Sequence, residues 1–413
     1  MSKFGTLSTL YVTQYLGIGF ITVGLAAILR AGGTSLDTLA ALNVIGLIWP
    51  IKFLWAPLLD RYGSRRHGHY RSWLVVLQSG MVLALLLLLP FTEPAKQLGP
   101  VILVCAGYVL LSATQDIAVD AVAVRALADS ERGTGNGIQI AAGYLGNLIG
   151  GGLCVVVYDR FGWAPAVLLL AVLTAAGLVV VRAYREPERA DRLVGTGAAY
   201  RALLSVFGQP GCRGWTFGVV PLLYVGAGAA YALVTPALVD AGWSLARIGV
   251  VTGIVTSVPA VVAALVAGGL TGRIGRSGVL VAGGAAIVIS TGLLLPLLNG
   301  HAPVAATIVA LCCFMSAYTV VNVVLYTVNM DYSRAESGGT DFTVLSSFGL
   351  ICSFVAASIG LAAAGRLGYP AVGAAAAVLV CLGVGLGISH QRRYRGTPRR
   401  PTAAPGMEKV ASS

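Results

Sequence analysis

A chain of 413 residues that is 57% hydrophobic and only 11% charged carries about half the charged share of an ordinary soluble domain. Such a surface excludes a water-bathed globule and points to a bilayer. The net charge of +12 would suit a nucleic-acid binder, but the basic residues are dispersed over one set of loops, so nucleic acid is excluded as a partner and the charge reports topology.

At about 20 apolar residues per crossing, the length accommodates twelve spans joined by short loops. Apolar windows place them, in chain order, near 7–30, 38–57, 73–91, 99–124, 134–158, 164–183, 213–238, 246–270, 278–298, 303–330, 340–363 and 369–390. The first has no small-residue cleavage site and is expected to stay as span 1. With both termini inside, the outer loops hold only Arg30, Lys96, Arg160, Arg247 and Arg366 of the 28 basic residues, which is the asymmetry that orients a multi-pass inner-membrane protein. Trp55, Trp73, Trp163, Trp215 and Trp243 fall near span ends, where an interfacial aromatic belt would put them. The seven cysteines lie almost entirely in spans and show no C-x-x-C spacing, so neither a disulfide nor a metal site is expected, and no cofactor is implied.

The two halves repeat at an offset of about 210 residues. Asp60-Arg61-Tyr62-Gly63 matches Gly272-Arg273-Ile274-Gly275, Arg160-Phe161-Gly162-Trp163 matches Arg366-Leu367-Gly368-Tyr369, Ser35-Leu36 matches Ser244-Leu245, and Asp120 matches Asp331. The expected organisation is an all-α membrane protein of two pseudo-symmetric six-helix bundles, 1–183 and 213–390. A cytoplasmic linker, 184–212, carries Arg185, Arg189, Arg192 and Arg201, and a basic tail, 391–413, is expected to be disordered. A site between the bundles at mid-depth follows from that layout.

Charged and polar residues inside the spans are the functional candidates, because they are costly in hydrocarbon. Span 2 contains Lys52 and ends in Asp60-Arg61. Span 4 contains Asp116 and Asp120, four apart and so on one face. Counting about 1.5 Å per residue, Asp116 and Lys52 reach similar depths and can pair. Two readings stand for this set: a carboxylate that exchanges a proton during transport, or a static latch of ion pairs at the inner gate. Span 10 presents Tyr318, Asn322, Tyr326 and Asn329 as one stripe, span 1 presents Tyr11, Gln14 and Tyr15, span 5 Gln139, and span 7 Tyr224 and Tyr231. Such side chains face a cavity and a substrate or bond between helices. The glycines of GYLGNLIGGG in span 5 read as a close-packing surface.

The Asp-Arg-x-Gly-x-Arg-Arg ending of span 2 resembles the signature loop of the major facilitator superfamily. The resemblance implies that spans 1, 4, 7 and 10 line a central cavity. Three segments resemble a narrower group, the AmpG-type permeases and their siderophore-importing relatives of the RhtX/FptX kind: Lys52 to Arg61, Ser112 to Ala121 and Gly339 to Ser347. Thr340-Asp341-Phe342, where AmpG-type permeases carry Thr-Gln-Tyr, is more similar to the siderophore group. Carried over, the motifs fall on Lys52, Asp60, Arg61, Asp116, Asp120 and Asp341. Asp341 opens span 11, where a carboxylate suits a helix N-terminus, and is expected to meet the arginines of the span 2 to span 3 loop.

The expectation that results is a monomeric, proton-driven importer of a small ferric siderophore of pyochelin type, with no enzymatic activity and no nucleotide-binding loop. Muropeptide import, drug export and ligand sensing without transport remain as alternatives.

Overall fold

A computed structural model describes residues 2–35, 44–64, 66–186 and 196–394. The tail from residue 395, linker residues Arg189 and Arg192, and Leu36 lie outside the described residues. Within them every regular element is a helix. In chain order these are α1 (Lys3–Ala31), α2 (Val44–Leu54, continued after a break by Ala56–Arg61), α3 (His69–Leu86), α4 (Leu98–Ala126), α5 (Arg132–Phe161), α6 (Trp163–Ala183), α7 (Cys212–Asp240), α8 (Ala246–Arg273), α9 (Gly275–Leu293), α10 (Val304–Tyr332), α11 (Gly338–Leu367) and α12 (Tyr369–Tyr394). A separate helix, Thr196–Ser205, lies in the linker.

Ten of these helices, all but α2 and α3, are long and apolar enough to cross a bilayer. The other two fall short for local reasons. α3 opens on the polar run His69-Tyr70-Arg71-Ser72. α2 is interrupted by Pro50 and Pro57, which supply no N–H to the preceding turn. The chain tightens into a 3₁₀ turn at Lys52–Leu54, and Trp55 sits at φ −112° and ψ −1° before the last helical turn begins. That break turns Lys52 inward.

Repetition between the halves is visible in their geometry. α4 and α10 are each 29 residues long. Aligned end to end, they set Asp116 level with Asn322 and Asp120 level with Tyr326, while Asp331 stands level with Arg125. The expected equivalence of Asp120 and Asp331 is therefore corrected: Asp120 is buried well inside its helix, and Asp331 is one residue from the end of its own. The tight turns between α5 and α6 and between α11 and α12 repeat more closely. Each pivots on a glycine of positive φ, Gly162 at 84° and Gly368 at 81°, a conformation other residues rarely adopt.

One apolar cluster fills the second half, around Leu223, Leu233, Phe314 and Val324. The first half has two. One, around Phe20, Leu85 and Trp163, lies toward the end where α1 finishes. The other, around Leu10, Leu74 and Ile117, lies at the end where α1 begins and takes in Met330 and Phe342 of the second half. The halves thus share a core at that end, which also carries Arg61, Arg125, Arg132, Arg276 and Arg334 and forms the basic end, and Ala141 of α5 joins the second half's cluster further along. Trp163, Trp215 and Trp243 are buried rather than interfacial, a correction with a clear cause in two cases. Trp163 Nε1 donates to the Leu88 carbonyl at 2.7 Å and Trp215 Nε1 to Asn329 Oδ1 at 3.0 Å.

Candidate functional site

The buried charges of α2 and α4 meet. Lys52, 2% exposed, forms an ion pair with Asp116 Oδ2. Gln14 Nε2 of α1 donates to the other Asp116 oxygen at 2.5 Å, and the Ser112 hydroxyl donates to the Gln14 carbonyl at 3.0 Å. One turn nearer the basic end, Asp120 Oδ1 accepts from the Tyr11 hydroxyl at 2.8 Å and from Gln139 Nε2 of α5 at 2.9 Å. Asp120 Oδ2 has no hydrogen-bond partner, although it is buried. Asp116 is thus held by a cation and an amide, whereas Asp120 faces only neutral donors and keeps one oxygen free. A buried polar atom without a partner is costly, which sets the surroundings of Asp120 apart from those of Asp116.

Aromatic rings surround the ion pair. Lys52 Nζ lies 5.2 Å from the Trp49 ring centroid, and Trp49 stacks on Tyr15 at 5.7 Å. Across the central space, in the second half, Tyr231, Tyr318 and Phe314 form a ladder of near-parallel rings with centroids 6.2 and 6.5 Å apart. Tyr231 is 43% exposed at its end. Asn322 Nδ2 donates to the Tyr318 carbonyl at 3.1 Å, and Tyr224 is buried against Gly349. Tyr326 meets Phe342 edge-on at 5.8 Å. Asn329 leaves the stripe, since Trp215 takes its side-chain oxygen.

The remaining charged candidates cluster at the basic end, where they tie the two halves together. Asp60 Oδ2 accepts from the backbone N–H of Thr340 at 2.7 Å, and the Tyr70 hydroxyl donates to Asp60 Oδ1 at 2.7 Å. A carboxylate of α2 therefore caps the N-terminus of α11, where the helix dipole favours it. Among the described residues, which leave out Arg65, Asp341 does not meet the loop arginines between α2 and α3. Its partner is Arg334, seven residues earlier, through Nε and Nη2, both at 2.7 Å. The same guanidinium donates to Ser205 Oγ at 2.9 Å and to the Ala202 carbonyl at 3.3 Å, so it also holds the linker helix. Arg61 stacks on Tyr62 instead of making an ion pair among the described residues.

Further ties cross the seam beside these. Arg132 of α5 donates to Asp331 Oδ1 at 3.0 Å; Arg276 holds Asp331 through Nε at 3.1 Å and reaches the Asp129 carbonyl at 2.6 Å. Arg125 donates to the Ala335 carbonyl at 3.0 Å. Beyond this end, Tyr144 to Thr319 at 2.8 Å also bridges the halves. Lys3 and exposed Glu131 pair within the first half, and that contact holds the Glu131 carboxyl below its usual range.

Sequence reasoning passed over Arg334, Tyr70 and Trp49. A Tyr-Arg pair opening α3 and an arginine seven residues before Asp341 are weak local signals. The tryptophan was legible only as part of an apolar run.

A helical chain with a polar, charge-bearing centre between two halves, closed by ion pairs at one end, belongs to the class of secondary membrane transporters. The family model described as Major Facilitator Superfamily matches residues 4–361, and the chain belongs to that family. An anhydromuropeptide permease of Escherichia coli (strain K12) is 30% identical over 244 residues, which cover 58% of this chain and 49% of that protein. An uncharacterized protein of Haemophilus influenzae is 37% identical over 144 residues, covering 35% of this chain and 34% of its own length. The chain thus spans between a third and a half of the length of the curated relatives it matches. Among solved structures, a bacterial homologue of the iron transporter ferroportin in an outward-facing state superposes with a TM-score of 0.71 at 14% identity, covering 95% of this chain and 100% of that one. FucP, a Major Facilitator Superfamily transporter in the outward conformation, gives 0.68 at 13%, covering 94% and 99%. These likenesses define the fold. The chain is a permease and not an enzyme.

Proposed function

We propose that this protein is a proton-driven importer of cell-wall-derived sugar-peptide fragments. It has twelve membrane crossings in two bundles of six, divided as 1–183 and 213–390, with the basic end and both termini in the cytoplasm. The observation that carries the substrate reading is the identity shared with the anhydromuropeptide permease. The site is compatible with it. The Tyr231-Tyr318-Phe314 ladder and the Tyr15-Trp49 pair offer flat faces to sugar rings, and Lys52 offers a cation to a peptide carboxylate. In this reading Asp120 takes the proton from the outer side. A substrate carboxylate competes with Asp116 for Lys52, and loosening of that pair accompanies opening of the basic end.

The siderophore expectation rested in part on Thr340-Asp341-Phe342. In the structure the Thr340 N–H is bound by Asp60 and Asp341 by Arg334. Thr340 and Asp341 thus serve the closure of the basic end, while Phe342 packs against Tyr326. The difference at Asp341 therefore carries little information about substrate.

The test is uptake into proteoliposomes under an imposed inward proton gradient, comparing a radiolabelled anhydromuropeptide with a ferric pyochelin-type siderophore. Protein-dependent muropeptide accumulation, abolished by a protonophore, is expected. Accumulation of the siderophore alone would overturn the substrate assignment, and muropeptide uptake indifferent to the protonophore would overturn the coupling.

A further inference from the structure

A second feature lies away from the polar centre, on the outer flank of the first half at the basic end. The loop before α3 and the segment after α6 enclose a cavity of about 410 Å³ lined by Arg66, His67, Arg71, Arg182, Arg185 and Glu186. Four arginines therefore line the same cavity as one carboxylate. That carboxylate is already engaged, since Glu186 Oε2 accepts from the backbone N–H of Arg71 at 2.8 Å. Arg71 does not spend its own charge on an acid. Its guanidinium donates to the carbonyls of Val181, Arg182 and His67 at 3.2, 2.8 and 3.2 Å, and this holds it rigidly across the gap between α3 and α6. Among the described residues no ion pair neutralises Arg66, Arg71, Arg182 or Arg185.

A second, apolar cavity of about 280 Å³ adjoins the first. It shares His67, Arg71 and Arg182 and continues along α3 past Ser72 to Val75. Beyond it, Val76 and Val179 are 64% and 69% exposed, as residues facing lipid are. A charged cage that opens into an apolar groove running up the flank of a membrane helix has the two-part chemistry of one ligand class. The phosphate of an anionic phospholipid would sit among the arginines, where planar guanidinium donors match phosphate oxygens. An acyl chain would follow α3. Basic pockets between transmembrane helices are suited to such headgroups.

We infer that the Arg66-Arg71-Arg182-Arg185 cage and the adjoining groove along α3 are a binding site for an anionic phospholipid that clamps α3 to α6. None of these residues belongs to the polar centre or to the closure of the basic end, so the inference stands apart from the substrate reading.

The test uses the full chain in detergent, titrated with phosphatidylglycerol and, separately, phosphatidylcholine, with thermal unfolding and native mass spectrometry as readouts. Arg71 is left intact because its side chain bonds to the backbone of α6 and of the loop before α3. The variant is R66Q/R182Q/R185Q, whose side chains are exposed. Phosphatidylglycerol is expected to raise the melting temperature of the parent and to remain bound on gentle ionisation. The triple variant, with an unchanged melting temperature in phosphatidylcholine, is expected to need at least about tenfold more phosphatidylglycerol for the same effect. Equal responses of parent and variant would overturn the inference. So would an equal stabilisation of the parent by inorganic phosphate, which would assign the cage to a soluble anion.

Discussion

At the scale of single residues, Lys52 and Asp116 dominate the energetics because both are buried and each is the other's partner. Removing one charge strands the other in a low-dielectric interior, at a cost of about 3–5 kcal/mol, whereas replacing both by apolar groups of similar volume is often neutral. Lys52→Met and Asp116→Leu are each expected to lower thermal stability and membrane yield sharply. The double variant is expected to recover most of the loss while remaining inactive in uptake. Stability measured by thermal unfolding in detergent decides this, and two additive losses would show that the pair is not coupled. Asp120 differs, since its oxygens meet only neutral donors. Asp120→Asn keeps the shape and the acceptor for Tyr11, so near-parental stability is expected. Accumulation against a gradient should be lost, with substrate exchange across the membrane retained. Normal accumulation by the variant would move proton coupling elsewhere. The sequence showed these three charges because an ionisable residue in an apolar run stands out from its surroundings. Counting residues also set Lys52 level with Asp116, the carboxylate it pairs with, but the break in α2 at Lys52–Leu54 was not legible in an apolar run.

At the scale of elements, the contact between α1 and α5 is made through backbone. A Cβ added at Gly150 would lie 1.9 Å from the Leu16 carbonyl oxygen and 2.7 Å from the Phe20 nitrogen. Close approach of this kind is how helices associate where lipid offers no hydrophobic drive. Both helices are locally π-helical beside the contact, at Phe20–Gly24 and Asn147–Leu153. Gly150→Leu is expected to force these helices apart. The variant should lose transport and several degrees of thermal stability, and a variant that melts with the parent would show that the seam yields without cost. The glycine run itself was legible as a packing surface, because small residues at helical spacing serve little else. The π-helical turns were not, since apolar periodicity carries no mark of a single widened turn. Helix ends such as that of α3 also shifted, because polar residues at an interface and those inside a span look alike in a window average.

At the scale of the whole molecule, most of the bonds that join the halves are gathered at the basic end, so this structure is closed there. The bond between Asp60 and the Thr340 N–H joins residues 280 apart in sequence. That distance explains why a sequence reading placed both residues in motifs without pairing them. In an alternating-access cycle these bonds must break when the basic end opens. A helix-capping carboxylate contributes about 0.5–2 kcal/mol, which is enough to change a two-state ratio by roughly two- to thirtyfold. Asp60→Ala should therefore raise the share of molecules open at the basic end without dismantling the bundles. Spin labels on Ser130 and Arg273, exposed residues on opposite sides of the seam, should report a longer distance in a larger fraction of the variant. The Arg334-Asp341 pair sits wholly on the second half and the linker, so Asp341→Ala should free the linker helix and lengthen that distance less. If the two variants gave the same distribution, the closure would depend on the linker strap, and the cap between α2 and α11 would be incidental.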